Sequence, residues 1–518
     1  PGVEGLQAKF SLNQLGGSAE LSMTGGALRL PGVFEEPVLP MDHLSGALRW
    51  QLQGEQIELQ ASDLRFSNAD AEGQAQATWR TGQGAATRFP GVLSLSGTLR
   101  NADGSRVHRY LPLEIPADAR HYVRDSVQSG RASKVQFKVE GDLKKLPFER
   151  GEGEFRIAAD VHDVNYVYVP TTLQSAGDKP WPALTQLSGE LVFDRASMAV
   201  RNAQGRVAGH PRMQLQQIEA RIANLSHTRV EVKARAQGEL AEMLGFVAGS
   251  PVAGFTERVM DHAQGSGAAQ LQLQLDLPID HLEQSKVQGS VALAGNSLRL
   301  MPEVPLLSQI RGNVQFSETG FSLSGVQAQA LGGPVRFEGG MQVLPASGPP
   351  SQSPLALRAS GTASAEGLRA APELGLLADI ARAAQGQADY VLELGVRRGT
   401  PEITVTSNLQ GLALDLPSPL GKAATAAVPL RFTHALTASA VSATAGKADL
   451  PPLHDEIALQ WGDLASLRYL RDASSTPAKV LSGALAIGSP MPAVDMPAGP
   501  SELLVIADRD ADFEIVAA

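Results

Sequence analysis

Hydrophobic and polar residues alternate along much of this chain with a period of two. Leu48, Trp50 and Leu52 interleave with Arg49, Gln51 and Gln53, and Val135, Phe137 and Val139 with Gln136, Lys138 and Glu140. The same parity returns at Phe155, Ile157, Ala159 and Val161, at Leu271, Leu273 and Leu275, at Phe321 and Leu323, and at Ile403 and Val405. Successive side chains of a strand point to opposite faces, so this pattern predicts antiparallel sheet with one apolar and one wet face. Parallel strands covered on both sides would read instead as continuous apolar runs. Few helices are predicted. Ala119, Tyr122, Val123 and Val127 share one face of a helix opened by Pro116 and Asp118 and closed by Gly130. Two short helices are expected around 240–260, interrupted at Pro251, and another around 374–384.

These pieces repeat. Leu44-Ser-Gly-Ala-Leu-Arg-Trp50 returns as Leu187-Ser-Gly-Glu-Leu-Val-Phe193 and as Ile310-Arg-Gly-Asn-Val-Gln-Phe316, each copy after a proline-containing loop. Gln128-Ser-Gly130, Gln264-Gly265 and Gln385-Gly386 recur in step as expected helix ends that lead into strands. Both series keep offsets of about 120 to 145 residues, which reads as a stack of sheet modules. The modules are expected over 1–109, 110–237, 238–367 and 368–518. The predicted fold is therefore mainly β: an elongated, twisted antiparallel sheet curled into an open groove, with a few short amphipathic helices. Compact sandwiches joined by linkers at 344–354 or 437–452 are the alternative.

Composition narrows the function. With 43% hydrophobic, 19% charged and 5% aromatic residues, the 518-residue chain is ordered protein packed with small and aliphatic groups. A net charge of -10 argues against nucleic acid as a partner, because binding a phosphate backbone needs clustered Lys and Arg. The absence of cysteine removes disulfides and thiol chemistry together. No run reaches the roughly 18 to 20 apolar residues of a membrane span. Because the sequence starts at Pro1, any signal or anchor is expected upstream. Hydrolase, zincin and nucleotide motifs are missing. Asp160-Val-His162-Asp163 comes nearest to a ligand cluster, and a strand there would put Asp160 and His162 on the wet face as solvated groups. The acidic pairs Glu35-Glu36 and Asp455-Glu456 read as solvated loop charge. No catalytic residue, metal or cofactor is expected, and the chain is read as a non-enzyme.

Several segments resemble the YhdP-type members of the AsmA-like superfamily. Arg109-Tyr-Leu-Pro112 is followed by the predicted helix, by a strand and by Gly141-Asp-Leu-Lys-Lys-Leu-Pro-Phe148. Gly153-Glu-Phe-Arg-Ile157 and Val164-Asn-Tyr166 lead to Trp181-Pro182, and Leu409-Gln-Gly-Leu-Ala-Leu-Asp-Leu-Pro-Ser-Pro-Leu-Gly-Lys422 is the most specific string. The likeness runs from Arg109 to Lys422 and departs from the family pattern at 171–179, an apparent insertion. It implies a periplasmic protein anchored in the inner membrane, built of repeating β-groove modules that bridge toward the outer membrane and similar to bridge-like lipid transfer proteins. No catalytic residues come with it.

Moving lipid in this way has a clear physical requirement. Exposing about thirty chain methylenes to water costs roughly 24 kcal/mol, so free diffusion of a phospholipid is negligible. A continuous apolar trough removes that barrier, and its open side leaves the headgroup hydrated. About 25 to 30 strands at ~4.8 Å spacing would give a trough of roughly 120 to 145 Å. Parity assigns Phe137, Val139, Phe155, Ile157, Leu271, Leu273, Leu275, Leu293, Ile403 and Val405 to the lining that meets phospholipid acyl chains. The rival readings are a non-catalytic envelope scaffold with sealed sandwich cores and an envelope glycan-processing enzyme with two facing carboxylates.

Overall fold

A computed structural model of the chain describes residues 2–82, 88–175, 177–255, 259–302, 304–342, 355–397, 400–437, 440, 453–474, 478–488 and 502–507. The alternating segments are strands: the protein is mainly β, with 62% of the described residues in strands and 14% in helices. Contacts divide it into two units, the first made of residues 1–238, 245–258 and 271–287, the second of 239–244, 259–270 and 288–518.

The first unit holds β1 (Gly2–Asn13), β2 (Gly16–Arg29), β3 (Val38–Gln53), β4 (Gln56–Ser67), β5 (Glu72–Arg80), β6 (Val92–Arg100), β7 (Ala102–Asp103), β8 (Val127–Asp142), β9 (Glu154–Tyr166), β10 (Leu184–Asp194), β11 (Ser197–Val207), β12 (His210–Ile222) and β13 (Arg229–Glu239). Each pairs antiparallel with the next, except that β6 pairs directly with β8 while the two-residue β7 lies against the start of β8. β14 (Gln264–Ser266), which belongs to the second unit, and β15 (Ala268–Pro278) follow along the chain.

The second unit continues through β16 (Lys286–Arg299), β17 (Leu307–Ser317), β18 (Gly320–Ala330), β19 (Gly333–Gln342), β20 (Leu355–Ser364), β21 (Ala384–Arg397), β22 (Thr400–Ser407), β23 (Leu412–Leu414), β24 (Leu430–Leu436), β25 (His454–Trp461), β26 (Ala465–Asp472), β27 (Lys479–Ile487) and β28 (Glu502–Ala507). Here β14 pairs with β16, the short β23 lies against β21, β22 pairs with β24, and β28 joins β27 in parallel. Among the described residues the strands do not close into a barrel. Among the described residues five short α-helices accompany them, besides 3-10 turns: α1 (Ala117–Ser126), α2 (Leu240–Gly249), α3 (Val252–Phe255), α4 (Ala365–Arg369) and α5 (Leu376–Ile380).

The repeated string has a structural reason. Its central glycines, Gly46 in β3, Gly189 in β10 and Gly312 in β17, all stand where the register with the following strand slips. Opposite the slip, Asp63, Asn202 and Gly325 take φ of 51°, 49° and 62°. A Cβ on the three glycines would come within 3.2, 2.8 and 3.0 Å of the Cα atoms of Leu64, Ala203 and Val326. Only glycine admits the bulged neighbour so close. Further slips follow between β11 and β12, β12 and β13, β16 and β17, and β18 and β19. Each bulge adds a local bend and right-handed twist, so a succession of them curves a sheet across its width.

Several helix expectations need correcting. Gly130 does not close the first helix: α1 ends at Ser126, Val127 already begins β8, and Gly130 lies inside that strand. Its φ is 140°, and a Cβ added there would stand 2.9 Å from the Val164 Cα, so the approach of β9 requires this glycine rather than a helix cap. Gln264-Gly265 and Gln385-Gly386 are likewise strand residues, in β14 and β21. On α1 the expected apolar face is not the buried one, since Ala119 is exposed whereas Arg120 and Ser126 are enclosed. The region 374–384 is one turn of α-helix between 3-10 turns. The linker candidate 344–354 lies outside the described residues, as does 437–452 apart from Thr437 and Ala440.

Candidate functional site

Side chains directly opposite one another across a ladder share a face. In the first unit, stepping from partner to partner gives one row over nine strands: Leu64, Ala75, Gly97, Phe137, Ile157, Phe193, Met198, Ile222 and Val230. Beside it run Ala61, Ala77, Leu95, Val139 and Phe155. In the second unit a nine-strand row passes through Val326, Phe337, Ala359, Leu392, Val405, Phe432, Leu459, Leu467 and Leu485. Its neighbour crosses eleven strands: Val291, Val314, Leu323, Gly339, Leu357, Leu394, Ile403, His434, Ile457, Tyr469 and Gly483.

The ladders bring Phe137 opposite Ile157 and Val139 opposite Phe155. Ile403 and Val405 face Leu394 and Leu392 in the other unit. Leu293 faces Gly312 and packs on the cluster of Ile310, Val326, Ala328, Ala330, Val335 and Ala359. Leu271, Leu273 and Leu275 alternate along β15 with exposed Gln272 and Gln274. All ten residues are half-buried. That intermediate state matters, because a sealed sandwich encloses its large apolar side chains. Among the described residues about half of the buried apolar side chains are alanine, while larger ones such as Met23, Val192, Ile310, Val326 and Val335 are enclosed as well.

The opposite face is wet and ionic. Lys138 Nζ lies 2.5 Å from Glu154 and 3.1 Å from Glu140, Arg156 lies 3.5 Å from Asp194, and Arg358 lies 3.3 Å from Glu393. Two concavities, of about 720 and 970 Å³, open on polar surface. The first is lined by Thr78, Ser94, Glu140, Glu154, Arg156 and Asp194, the second by Gln327, Arg336, Ser360, Thr362, Asp389 and Thr406 among others. None of the ten predicted lining residues belongs to either.

Asp160 pairs with Lys134 at 3.0 Å, and His162 Nε2 lies 3.0 Å from the Ser133 hydroxyl. Among the described residues no three His, Asp or Glu are grouped to hold a metal ion. Asp455 departs most from the sequence reading. It is not loop charge but a residue of β25, 1% exposed, on the same face as Ile457 and Leu459. Its Oδ1 accepts from Arg471 Nε at 3.0 Å, and its Oδ2 lies 2.5 Å from both Arg471 Nη2 and His434 Nε2. Burial pushes the Asp455 carboxyl up, but the hydrogen bonds from Arg471 and His434 outweigh it and hold the group below the usual carboxylate range. The three partners lie 21 and 16 residues apart in sequence on three strands, so no local signal announces them.

No curated protein and no solved structure matches significantly. A family model described as YhdP protein matches residues 1–500. With a match over nearly all of its 518 residues, the chain belongs to the YhdP family.

Proposed function

We propose that this chain is a periplasmic segment of a bridge-like transporter that moves phospholipid between the inner and outer membranes. Its acyl chains travel along the apolar faces of the sheets, and an inner-membrane anchor belongs to a part outside this sequence. The observation that carries this reading is the half-open state of most large apolar side chains, Ile222 and Val326 excepted, in rows nine and eleven strands long. A row of nine strands covers roughly 38 Å along the hydrogen-bonding direction at ~4.8 Å per step, longer than one extended acyl chain. Leucine, valine, isoleucine and phenylalanine offer such a chain contact without a directional polar group, so sliding does not break hydrogen bonds.

The glycan-enzyme reading would look to Glu140 and Glu154, which line the first concavity together with Glu152 and Asp194. Both are half exposed and both lean on the single ammonium of Lys138. Neither has the apolar surroundings that separate a general acid from a general base.

The test is native mass spectrometry of gently purified protein, together with transfer of a fluorescent phospholipid between vesicles. Co-isolated phospholipid is expected. Leu273→Asp is expected to cut transfer severely while the melting temperature falls only slightly, because its side chain is half open. A sealed core would instead unfold on that substitution, through an unpaired buried charge. A lipid-free protein with unchanged transfer in Leu273→Asp would end the proposal.

A further inference from the structure

Helix α1 holds a buried cation whose hydrogen bonds are incomplete. Arg120 is 8% exposed, and its Nε and Nη1 atoms are enclosed without a hydrogen-bond partner in the protein. The nearest anion is Glu35 Oε2, 3.8 Å from Nη1 and beyond hydrogen-bond reach. Glu35 gives its other oxygen to His121, whose Nε2 lies 3.3 Å from Oε1. One carboxylate is thus divided between two donors and meets neither at close range. An enclosed guanidinium left in that state is costly, and such a group needs an acceptor.

The two neighbouring arginines are already matched. Arg124 is held by Asp125 at 2.8 and 3.3 Å, while Arg109 is held by Glu36 at 2.8 Å and Asp70 at 2.6 Å. Glu35 itself belongs to the β2–β3 loop, docked by the bond from Leu113 N to Val33 O at 2.9 Å and by Phe34 edge-on to Tyr110. Its side chain is 52% exposed and stands in the field of His121, Arg120 and Arg124. The hydrogen bond from His121 holds its carboxyl below the ordinary range, so it is ionised at neutral pH.

We infer that Arg120 and His121 form a binding site for a phosphate-class oxyanion, and that the Glu35 carboxylate is a tethered substitute that occupies it when no such anion is bound. A tetrahedral phosphate offers three or four acceptor oxygens where the carboxylate offers two in one plane. It can span the imidazole and the guanidinium fork together, a geometry for which arginine is suited. Free phosphate and the phosphodiester of a lipid headgroup share this chemistry. The site lies on α1 and does not depend on acyl chains following the apolar rows.

The test is a 31P titration of the full chain with inorganic phosphate and, separately, with the water-soluble headgroup glycerophosphoglycerol. Glu35→Gln removes the competing charge and is expected to strengthen binding roughly fivefold, the effect of losing one exposed ion pair. Adding Arg120→Lys, which keeps the charge but loses the fork, should reverse that gain at an unchanged melting temperature. A gain for glycerophosphoglycerol identifies a headgroup site, and a gain for inorganic phosphate alone identifies a free-phosphate site. The inference is overturned if Glu35→Gln leaves both affinities unchanged, or if the gain survives Arg120→Lys. Phospholipid co-isolation measured on the same variants reports separately on the apolar rows.

Discussion

In the first unit the row from Leu64 to Val230 contains no ionisable side chain, whereas in the second the row from Val291 to Gly483 passes through His434 and Tyr469. Asp455 and Arg471 stand beside that second row on the same face. On the strands of the first unit the ion pairs of Lys138 with Glu140 and Glu154 stand on the wet side. The second admits a carboxylate, a guanidinium and an imidazole to its apolar side because they satisfy one another. An apolar sheet face therefore tolerates charge only as a closed set, and removing one member should cost far more than changing an equally polar group on the wet face.

The largest expected effect follows from breaking that set. Asp455→Ala should destabilise the protein by about 3 to 5 kcal/mol, the range for an uncompensated buried partner, read as a lower denaturation midpoint. The combined change His434→Leu, Asp455→Leu and Arg471→Met should be close to neutral, since well-packed apolar groups often replace a buried ion cluster without loss. A triple variant as unstable as Asp455→Ala would show that the charges do more than satisfy each other. Next in size is Gly189→Ala in the first unit, whose new Cβ would meet the Ala203 Cβ at 2.7 Å. Overpacking at that bulge should cost about 1 to 3 kcal/mol. Gly312→Ala in the second unit, at φ of 135°, should cost at least as much, and equal tolerance at both would separate the two bulges from the repeat.

A smaller difference concerns acid. The Asp455 carboxyl sits below its unfolded value of about 3.9. Its contribution is complete above that value and is lost as pH falls through the lower folded one. Thermal melts between pH 5 and pH 2.5 should therefore fall more steeply in the wild type than in the triple apolar variant. Parallel curves would remove the triad from the acid response. Smallest of all is Lys138→Ala on the wet face of the first unit, where exposed pairs should leave the melting temperature unchanged within error.

Much of this architecture can be read from the chain. The alternation at 135–139, 155–161, 271–275 and 403–405 is strand in every case, and the three Leu/Ile-x-Gly strings fall on β3, β10 and β17 at matching bulges. Parity is less durable than it looks. In β18 the inward set runs through Phe321 and Leu323, and then, past Gly325 at φ of 62°, it continues through Val326 and Ala328. Glycines at 130 and 386 look like helix stops in sequence but serve strand contacts in space. Asp455 looks like solvated charge because His434 and Arg471, which enclose it, are distant along the chain.

The sequence by itself determined that the chain forms strands with one apolar face, since a period of two is a property of the extended backbone and needs no distant partner. Tertiary structure alone decided where the register slips, which glycines are indispensable and which charges share the apolar side. Each of those depends on a neighbouring strand supplied from elsewhere in the chain, whose approach no local pattern records.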